Sequence, residues 1–323
     1  MTKSLITGIT GFVGSHLADY LLEKGEDVQG IYRWRSRNDS IQHIKDKITL
    51  IPCDLTDLTS VVRCLEETKP DYIFHLAAQS YVTDSFTQPN ATVQANIVGT
   101  LNLLEGIRSL KKREGYDPVV HVCSSSEVYG QVKPNEVPIK ETNPFRPANP
   151  YAVSKVGEDM FALQYWLSYG IKTLRTRMFT HTGPRRIMDS AEIAFAKQIV
   201  RIERGEQEPI VKVGNLKSVR TFADVRDAVK AYHFLVRKCT PGEAYNIGGN
   251  RTMEIGDMLN MLINLSPKKD SIKVEVDEKL LRPSDVTLQI PDISKFVNET
   301  GWQPETPFEK TLEDILNYLR ENW

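Results

Sequence analysis

The sequence is poor in cysteine, and its cysteines are widely spaced. Its 323 residues include four of them, at positions 53, 64, 123 and 239, and six histidines. No two cysteines form a C-x-x-C pair, and the histidines lack the spacing of metal ligands. We therefore expect reduced thiols, no disulfide framework and no bound metal.

Long apolar runs and a strong net charge are also lacking. No stretch approaches the roughly 20 apolar residues that a bilayer span requires, and the start MTKSLITG enters a predicted strand directly, leaving no room for a signal peptide. The formal net charge of -1 provides no field to attract nucleic acid or an anionic membrane. We expect a cytoplasmic protein with a small-molecule substrate, and neither nucleic acid nor membrane as a partner.

The first half of the chain alternates short β-branched runs with longer amphipathic stretches, which predicts βα units on a parallel sheet. The predicted fold class is α/β, a Rossmann-type doubly wound parallel sheet with a smaller, discontinuous C-terminal lobe. Predicted strands cover residues 4–7, 28–32, 48–53, 72–76, 119–124 and 172–177, and predicted helices cover residues 15–24, 59–68, 93–110 and 151–169.

A glycine-rich run, TGITGFVG, lies between the first predicted strand and the first predicted helix. Gly8, Gly11 and Gly14 permit a tight turn and a close approach of the backbone to a pyrophosphate, whose charge then faces the helix N-terminus. A glycine triplet alone is weak evidence, but its position after a strand and before a helix predicts a dinucleotide site.

The end of the second strand indicates which dinucleotide binds. The run YRWRSRND places Arg33, Arg35 and Arg37 where an acidic residue would hold the ribose diol of NAD(H). NADP(H) is therefore favoured, although a solvated basic turn is the alternative and leaves NAD(H) open. Asp54, after the third strand, either contacts the adenine region or caps a helix.

The order of elements loosens after about residue 176. We predict that residues 1–176 form the cofactor-binding domain, completed by a returning strand near residues 243–249. Residues 177–323 are then predicted to form most of a smaller substrate-binding lobe.

Tyr151 and Lys155 are four residues apart in a predicted helix and share one face. A neighbouring ammonium favours the phenolate of a tyrosine, which can then remove a hydroxyl proton as hydride leaves the same carbon. Ser125, at the end of the fifth predicted strand, is placed to hydrogen-bond the reacting oxygen. These residues predict a redox step on a hydroxyl or carbonyl group.

Together these motifs resemble the extended short-chain dehydrogenases/reductases that act on nucleotide sugars. The match covers essentially the whole chain and includes the HLAAQS run and Asn96. It implies that the C-terminal lobe holds the sugar nucleotide and that the protein is a homodimer or homotetramer. It also implies further cofactor contacts by Phe12, Val13, Leu55, Leu76, Ala77 and Ala78.

Glu127 distinguishes subfamilies within this resemblance, because simple dehydrogenation needs no acid two places after Ser125. In 4,6-dehydratases a glutamate at this position removes the C5 proton of the sugar once C4 is a ketone. Ser126 stands where dTDP-glucose dehydratases have an aspartate, which makes the string similar to the GDP-mannose class. The structural alternative for Glu127 is a cap carboxylate at a strand end.

Later segments also resemble those of GDP-sugar enzymes. The segment VGNLKSVRTFADVRD resembles a diphosphate-binding segment, with Asn215 and Arg220 in the matching places. The segment LRPSDV resembles one in which the arginine, here Arg282, binds phosphate and the acid, here Asp285, contacts the nucleoside. The implied substrate contacts are Ser80, Ser126, Thr180, Asn215, Arg220, Arg282 and Asp285.

The MFTHTGPRR run departs from the family pattern. Thr180 stands where an asparagine is frequent, and GDP-mannose dehydratases usually differ at Thr182 and Gly183. The altered pocket favours a GDP-sugar other than GDP-mannose. The subfamily that the chain resembles most is the bacterial GDP-N-acetylglucosamine 4,6-dehydratases of legionaminic acid biosynthesis.

Two other functions stay open from the sequence. A GDP-4-keto-6-deoxymannose reductase is the main rival, because residues 195–231 resemble those reductases and some of them keep a glutamate at position 127. A non-catalytic nucleotide-binding module with the same fold is the more remote alternative, since fold alone does not fix function.

Overall fold

The structure, a computed structural model, describes residues 1–186, 190–281 and 286–323. Arg282 and Asp285, two of the predicted substrate contacts, lie outside the described residues. Within the described ranges, no helix combines the length and apolarity needed to cross a membrane.

Short strands and longer helices alternate along the first half of the chain. The strands are β1 (Lys3–Thr7), β2 (Asp27–Tyr32), β3 (Thr49–Pro52), β4 (Tyr72–His75), β5 (Val119–Cys123), β6 (Thr173–Met178), β7 (His181–Thr182), β8 (Ile210–Val213), β9 (Val219–Asp224), β10 (Ala244–Ile247), β11 (Arg251–Glu254), β12 (Lys273–Val276) and β13 (Leu288–Gln289). The helices are α1 (Phe12–Glu23), α2 (Leu58–Thr68), α3 (Val82–Thr87), α4 (Pro89–Val93), α5 (Gly99–Glu114), α6 (Pro150–Tyr169), α7 (Ala191–Arg204), α8 (Val225–Lys238), α9 (Ile255–Asn264), α10 (Ser294–Thr300) and α11 (Phe308–Asn322).

Seven strands form one parallel sheet in the order β10-β6-β5-β4-β1-β2-β3. The strand order reverses between β1 and β4, and the carboxyl ends of strands at such a point form a crevice where ligands bind in open α/β sheets. The predicted Rossmann-type fold is confirmed. The predicted domain boundary falls within β6, which continues to Met178, and the division into domains stays a prediction.

Both faces of this sheet are covered by helices. On β4, Phe74 enters one apolar core with Leu17 of α1 and Val229 of α8. The preceding residue, Ile73, enters the opposite core with Leu104 of α5. Because successive side chains of a strand point to opposite faces, the adjacent apolar residues Ile73 and Phe74 serve two different cores.

A separate core lies in the C-terminal half. Strand β9 pairs with β11, β13 and β7, while β8 pairs with β12. Ile199 of α7, Leu259 of α9 and Leu316 of α11 meet in this core. Between these elements, α8 and β10 belong to the first sheet and its core, so the chain passes between the two cores more than once.

The predicted helix over residues 93–110 is divided. A π-helical turn, Gln94–Val98, separates α4 from α5. The buried Asn96 side chain in this turn accepts a hydrogen bond from the Gln79 backbone N–H at 2.7 Å and donates to the Ser154 hydroxyl at 2.8 Å. Single π-turns are frequent at functional sites, and this one connects the loop after β4 to α6.

Candidate active site

The loop after β1 has the geometry of a phosphate-binding turn. Gly8 adopts φ +74°, in the left-handed region, and a Cβ atom on Gly14 would lie 2.3 Å from the Gly8 carbonyl oxygen. Gly11 precedes α1, whose first turn has no side-chain cap and no acidic residue. Phe12 and Val13 open this helix. The backbone amides there fit a pyrophosphate.

A cavity of about 540 Å³ lies at the carboxyl ends of β2 and β3. Arg35 lies over the exposed Trp34 ring, with 4.3 Å from Cζ to the ring centroid. Asp54 accepts hydrogen bonds from the backbone N–H and hydroxyl of Thr56, which lower the pKa of its carboxyl group. The lining residues are Arg33, Trp34, Arg35, Ser36, Pro52, Cys53, Asp54 and Ser60.

Two of the three arginines in the basic run line this cavity, and the third does not. Arg33 and Arg35 line it, whereas the Arg37 guanidinium pairs with the Asp39 carboxylate, 2.7 Å from Nη2 to Oδ2. Leu55 is buried just after the cavity segment. Two cationic side chains beside a cavity of this size fit an adenosine that carries a 2′-phosphate.

The segment after β4 is fixed by a buried hydrogen-bond network. The Thr7 hydroxyl oxygen accepts from the backbone N–H groups of Leu76 and Ala77, each at 3.1 Å, and lies 2.9 Å from Nδ1 of His75. His75 Nε2 lies 2.9 Å from the Thr100 hydroxyl. Burial lowers the pKa of His75 to about 3, so the imidazole is neutral and the network stays intact at neutral pH.

Tyr151 and Lys155 lie in the first turns of α6. Asn149 caps this helix, because its Oδ1 accepts from the Ala152 N–H at 2.7 Å, and Pro150 occupies the first helical position. The Lys155 Nζ lies 5.9 Å from the centroid of the Tyr151 ring. The predicted common face of the two side chains is confirmed.

The Lys155 ammonium is buried and donates two hydrogen bonds. It donates to the Cys123 carbonyl oxygen and to Glu158 Oε2, each at 2.9 Å. Burial by itself lowers the pKa of Lys155, but the charges of Glu158 and Tyr151 outweigh it and raise the pKa above its ordinary value. Lys155 is therefore a cation.

Burial raises the pKa of Tyr151 above that of an ordinary phenol, while the Lys155 ammonium and a hydrogen bond with Ser125 act in the opposite direction. Ser125 follows β5 and is buried. The structure thus brings the three residues together at the carboxyl edge of the sheet.

Glu127 lies in a 3₁₀ turn, Ser126–Tyr129, directly after Ser125. The Ser125 Oγ accepts a hydrogen bond from the Glu127 backbone N–H at 3.2 Å. The Glu127 carboxylate accepts two hydrogen bonds, one from Asn149 Nδ2 to Oε2 at 3.2 Å and one from Gln289 Nε2 to Oε1 at 3.1 Å. Its side chain thus extends toward α6 and β13.

The other predicted substrate residues are distributed over both halves. Thr180 follows β6, and its carbonyl oxygen accepts from the Ala223 N–H at 2.9 Å. Arg220 lies on β9, and Asn215 lies in the preceding turn, where its Oδ1 accepts from the Lys217 N–H at 3.0 Å. Ala78 and Ser80 follow β4, and Ser126 is buried after β5.

The family is decided by a match along nearly the whole chain. A family model described as GDP-mannose 4,6 dehydratase matches residues 5–315. The chain belongs to this family.

Relatives of this dehydratase-family chain include both dehydratases and a reductase. GDP-mannose 4,6 dehydratase 2 of Arabidopsis thaliana is 32% identical, over 97% of this chain and 86% of the relative. GDP-6-deoxy-D-mannose reductase of Pseudomonas aeruginosa is 33% identical, over 98% and 97% respectively. The solved structure of RMD from Pseudomonas aeruginosa complexed with NADPH has 29% identity and a TM-score of 0.83 over 100% of both chains.

The structure places three residues in the site that were not predicted from the sequence, namely Asn149, Glu158 and Gln289. Asn149 had a signal, since an asparagine before Pro150 is a usual helix cap, and Glu158 is three residues after Lys155 on the same face. Gln289 had no signal, because nothing in sequence spacing relates it to Glu127. In the described ranges no cluster of three histidines, cysteines or carboxylates is arranged to hold a metal.

Proposed function

We propose that this protein is an NADP(H)-dependent GDP-sugar 4,6-dehydratase, a hydro-lyase that converts a GDP-hexose to the GDP-4-keto-6-deoxy sugar. The observation that carries the proposal is Glu127. It stands two residues after Ser125 and is hydrogen-bonded to Asn149, which caps the helix of Tyr151. A reaction confined to hydride transfer has no need of a carboxylate there.

The cofactor would be held by the glycine turn and by Arg33 and Arg35, with Asp54 and the segment 76–78 beside it. Membership of the dehydratase family and the NADPH complex of a related structure support NADP(H). Bound there, the cofactor would supply the chemistry of hydride transfer from the sugar and back to it. Residues 1–176 and the strand at 244–247 form the cofactor-binding domain in this proposal, and the rest of 177–323 forms most of the substrate lobe.

The protein side chains carry the proton transfers. Tyr151 removes the C4 hydroxyl proton while Ser125 hydrogen-bonds the same oxygen, and Lys155 favours the phenolate. Once C4 is a ketone the C5 hydrogen is acidified, and Glu127 removes it. The C6 hydroxyl takes that proton and leaves as water. Hydride return to C6 together with proton uptake at C5 then completes the 4-keto-6-deoxy sugar with no net use of cofactor.

The proposed substrate is a GDP-sugar, with Asn215 and Arg220 at its diphosphate. GDP-mannose follows from the family description. GDP-N-acetylglucosamine is favoured because Thr180, Thr182 and Gly183 depart from the GDP-mannose pattern. The segment is tightly packed: Thr182 is buried, and a Cβ on Gly183 would lie 2.7 Å from Val225 Cγ1.

The second candidate is GDP-4-keto-6-deoxymannose reduction, which the Pseudomonas aeruginosa reductase supports by its 33% identity. That reaction consumes NADPH and gives Glu127 no proton to remove. The proposed protein is a cytoplasmic homodimer or homotetramer in either case.

Incubation with GDP-N-acetylglucosamine or GDP-mannose and catalytic NADP+, followed by mass spectrometry, tests the proposal. We expect loss of one water from the sugar without stoichiometric NADPH. Absence of water loss, together with NADPH-dependent reduction of a supplied GDP-4-keto-6-deoxy sugar, would establish the reductase instead.

A further inference from the structure

We propose that Gln289 is the residue that positions Glu127 for C5 proton removal, and that it acts from the substrate half of the molecule. The inference rests on the proposed function. Gln289 lies on β13 and is 3% exposed, and 162 residues separate it from Glu127 in the sequence.

Both the nitrogen and the oxygen of the Gln289 amide form hydrogen bonds. Its Nε2 donates to Glu127 Oε1 at 3.1 Å, and its Oε1 accepts from the Ser126 hydroxyl at 3.1 Å. A flipped amide would place a carbonyl oxygen against the carboxylate, so the two partners fix one orientation. Gln289 therefore presents a directed donor to Glu127.

The second carboxylate oxygen is held from the other half of the site. Asn149 Nδ2 donates to Glu127 Oε2 at 3.2 Å, while Asn149 Oδ1 caps α6. The Glu127 carboxylate is thus held between the helix of Tyr151 and strand β13. Among the residues that the structure describes, removing Gln289 leaves a side-chain donor on one carboxylate oxygen only, and the carboxylate is then free to rotate.

Strand β13, which carries Gln289, connects the residues that hold the Glu127 carboxylate to the proposed nucleotide end of the substrate. Gln289 is the register partner of Arg220 on β9. A substrate diphosphate at Arg220 would contact the same pair of strands that orients the base. Gln289 therefore couples the placement of the nucleotide to the placement of Glu127.

The affected step is elimination alone. The C5–H bond breaks with its proton going to Glu127, the electron pair forms the C5=C6 double bond as the C6–O bond breaks, and the hydroxyl takes the proton from Glu127 to leave as water. A base must lie within hydrogen-bond reach of the proton it removes, and misplacement by about 1 Å costs roughly 100-fold. Oxidation at C4 depends on Tyr151 and is not affected.

The kinetic test compares Gln289→Leu with Gln131→Leu. Gln131 joins the same two segments through Thr287, with 2.8 Å from Nε2 to the hydroxyl, but is exposed and bonded elsewhere. In single turnovers with GDP-mannose or GDP-N-acetylglucosamine, Gln289→Leu should slow water loss about 10- to 100-fold while NADPH formation keeps its rate, so that NADPH accumulates. Gln131→Leu should match wild type in both steps.

Two further variants separate positioning from structure. Gln289→Glu replaces the donor with an acceptor and should slow elimination at least as much as Gln289→Leu. In a Glu127→Gln background, Gln289→Leu should not slow the residual elimination any further, because it acts only through Glu127. An equal added loss in that background would overturn the proposal.

A function-independent readout comes from unfolding in denaturant. The free energies of unfolding of Gln289→Leu and Glu127→Gln should be non-additive in the double variant, as for residues in contact. Additive changes in the free energy of unfolding would show that Gln289 and Glu127 do not interact. If the free energies of unfolding are non-additive but Gln289→Leu eliminates water at the wild-type rate, the positioning role is overturned and the proposed function is not. If wild type dehydrates neither sugar, the proposed function fails and the positioning role with it, while the unfolding cycle still decides the contact.

Discussion

Tyr151 is influenced by a second charge on its own helix, beyond that of Lys155. The Glu158 carboxylate accepts from Lys155, and its Oε1 has no hydrogen-bond partner in the described part of the chain. Burial raises the pKa of Glu158 to about 7, against the opposing effect of the Lys155 ammonium. The net charge facing Tyr151 therefore changes near neutral pH.

Glu158→Gln should shift the pH dependence of C4 oxidation to lower pH. The charge of Glu158 raises the pKa of Tyr151, and its removal makes the phenolate more accessible. The measurement is the pH profile of NADPH formation in single turnovers. Glu105→Gln, which changes a surface ion pair with Arg108 on α5, is the matched control. An unchanged or alkaline-shifted profile in Glu158→Gln would show that Glu158 has no electrostatic role.

Glu127→Gln should block elimination and leave cofactor binding intact. An amide is the same size as the carboxylate but cannot remove a proton, and loss of a general base typically costs about 100- to 10,000-fold. The measurement is solvent deuterium at C5 of recovered sugar, with NADP+ affinity as the folding control. Deuterium wash-in at the wild-type rate would assign C5 proton removal to another residue.

At the scale of elements, the proposed cofactor and catalytic groups follow the carboxyl ends of six neighbouring strands. Gly8 follows β1, Arg33 follows β2, Asp54 follows β3, Leu76 follows β4 and Ser125 follows β5, with the proposed substrate residue Thr180 after β6. Parallel pairing brings these loops to one edge although they are far apart in sequence. Each loop therefore contributes one part of the site, and changes in one loop can be tested separately.

The loop after β2 should determine the preference for NADP(H). Arg33→Ala combined with Arg35→Ala removes both cations from the cavity, and we expect the affinity for NADP+ to fall at least tenfold, about the value of one charge-assisted hydrogen bond. NAD+ affinity should change little, because it lacks the 2′-phosphate. Both are measured by calorimetric titration.

Arg37→Ala is the control for this loop, since Arg37 pairs with Asp39 and is not among the cavity-lining residues. It should bind both cofactors as wild type does. Equal losses for NADP+ and NAD+ in the double variant would show that the loop supports adenosine binding in general rather than the phosphate.

What the sequence predicted well was local. Gly8 marks a turn because its own left-handed backbone favours glycine, and Gly14 lies where a Cβ atom would collide with the Gly8 carbonyl oxygen. Tyr151 and Lys155 share a face because helical spacing places them there. The π-turn at Asn96 was not predictable from local spacing, because the hydrogen bonds of the Asn96 side chain are to Gln79 and Ser154, which are distant in sequence.

The contact of Gln289 with Glu127 was unpredictable for the same reason. It depends on the pairing of β13 with β9 and on the packing of that sheet beside the 3₁₀ turn after β5. Helical and strand periods describe neighbours along the chain, and they contain no information about which loops meet at an edge.

At the scale of the whole molecule, the cores around the parallel sheet hold several imidazoles away from water. His16, His75 and His121 are at most 9% exposed. Burial lowers the pKa of His16 to about 4 and those of His75 and His121 to about 3. All three rings are neutral in the folded protein at the pH where unfolded histidine becomes charged.

The fold should therefore lose stability as the pH falls below about 6.5. The unfolded chain then binds protons that the folded chain excludes, so the free energy of unfolding decreases with decreasing pH. Each buried histidine contributes about 1.4 kcal/mol of loss between roughly pH 7.5 and 5.5. The loss continues until the folded-state pKa values of about 3 to 4 are reached. Denaturant unfolding across this range measures it.

His121→Gln isolates one of the three contributions. His121 Nε2 lies 2.8 Å from the Thr176 hydroxyl, and a glutamine amide can keep that contact without titrating. We expect the free energy of unfolding of the variant to depend less steeply on pH than that of wild type. The difference should equal the contribution of about one histidine, whatever the stability of the variant at neutral pH. His43→Gln, at an exposed position, provides the comparison. A slope in His121→Gln equal to that of wild type would mean that His121 is protonated in the folded protein, and that the core around β5 admits water.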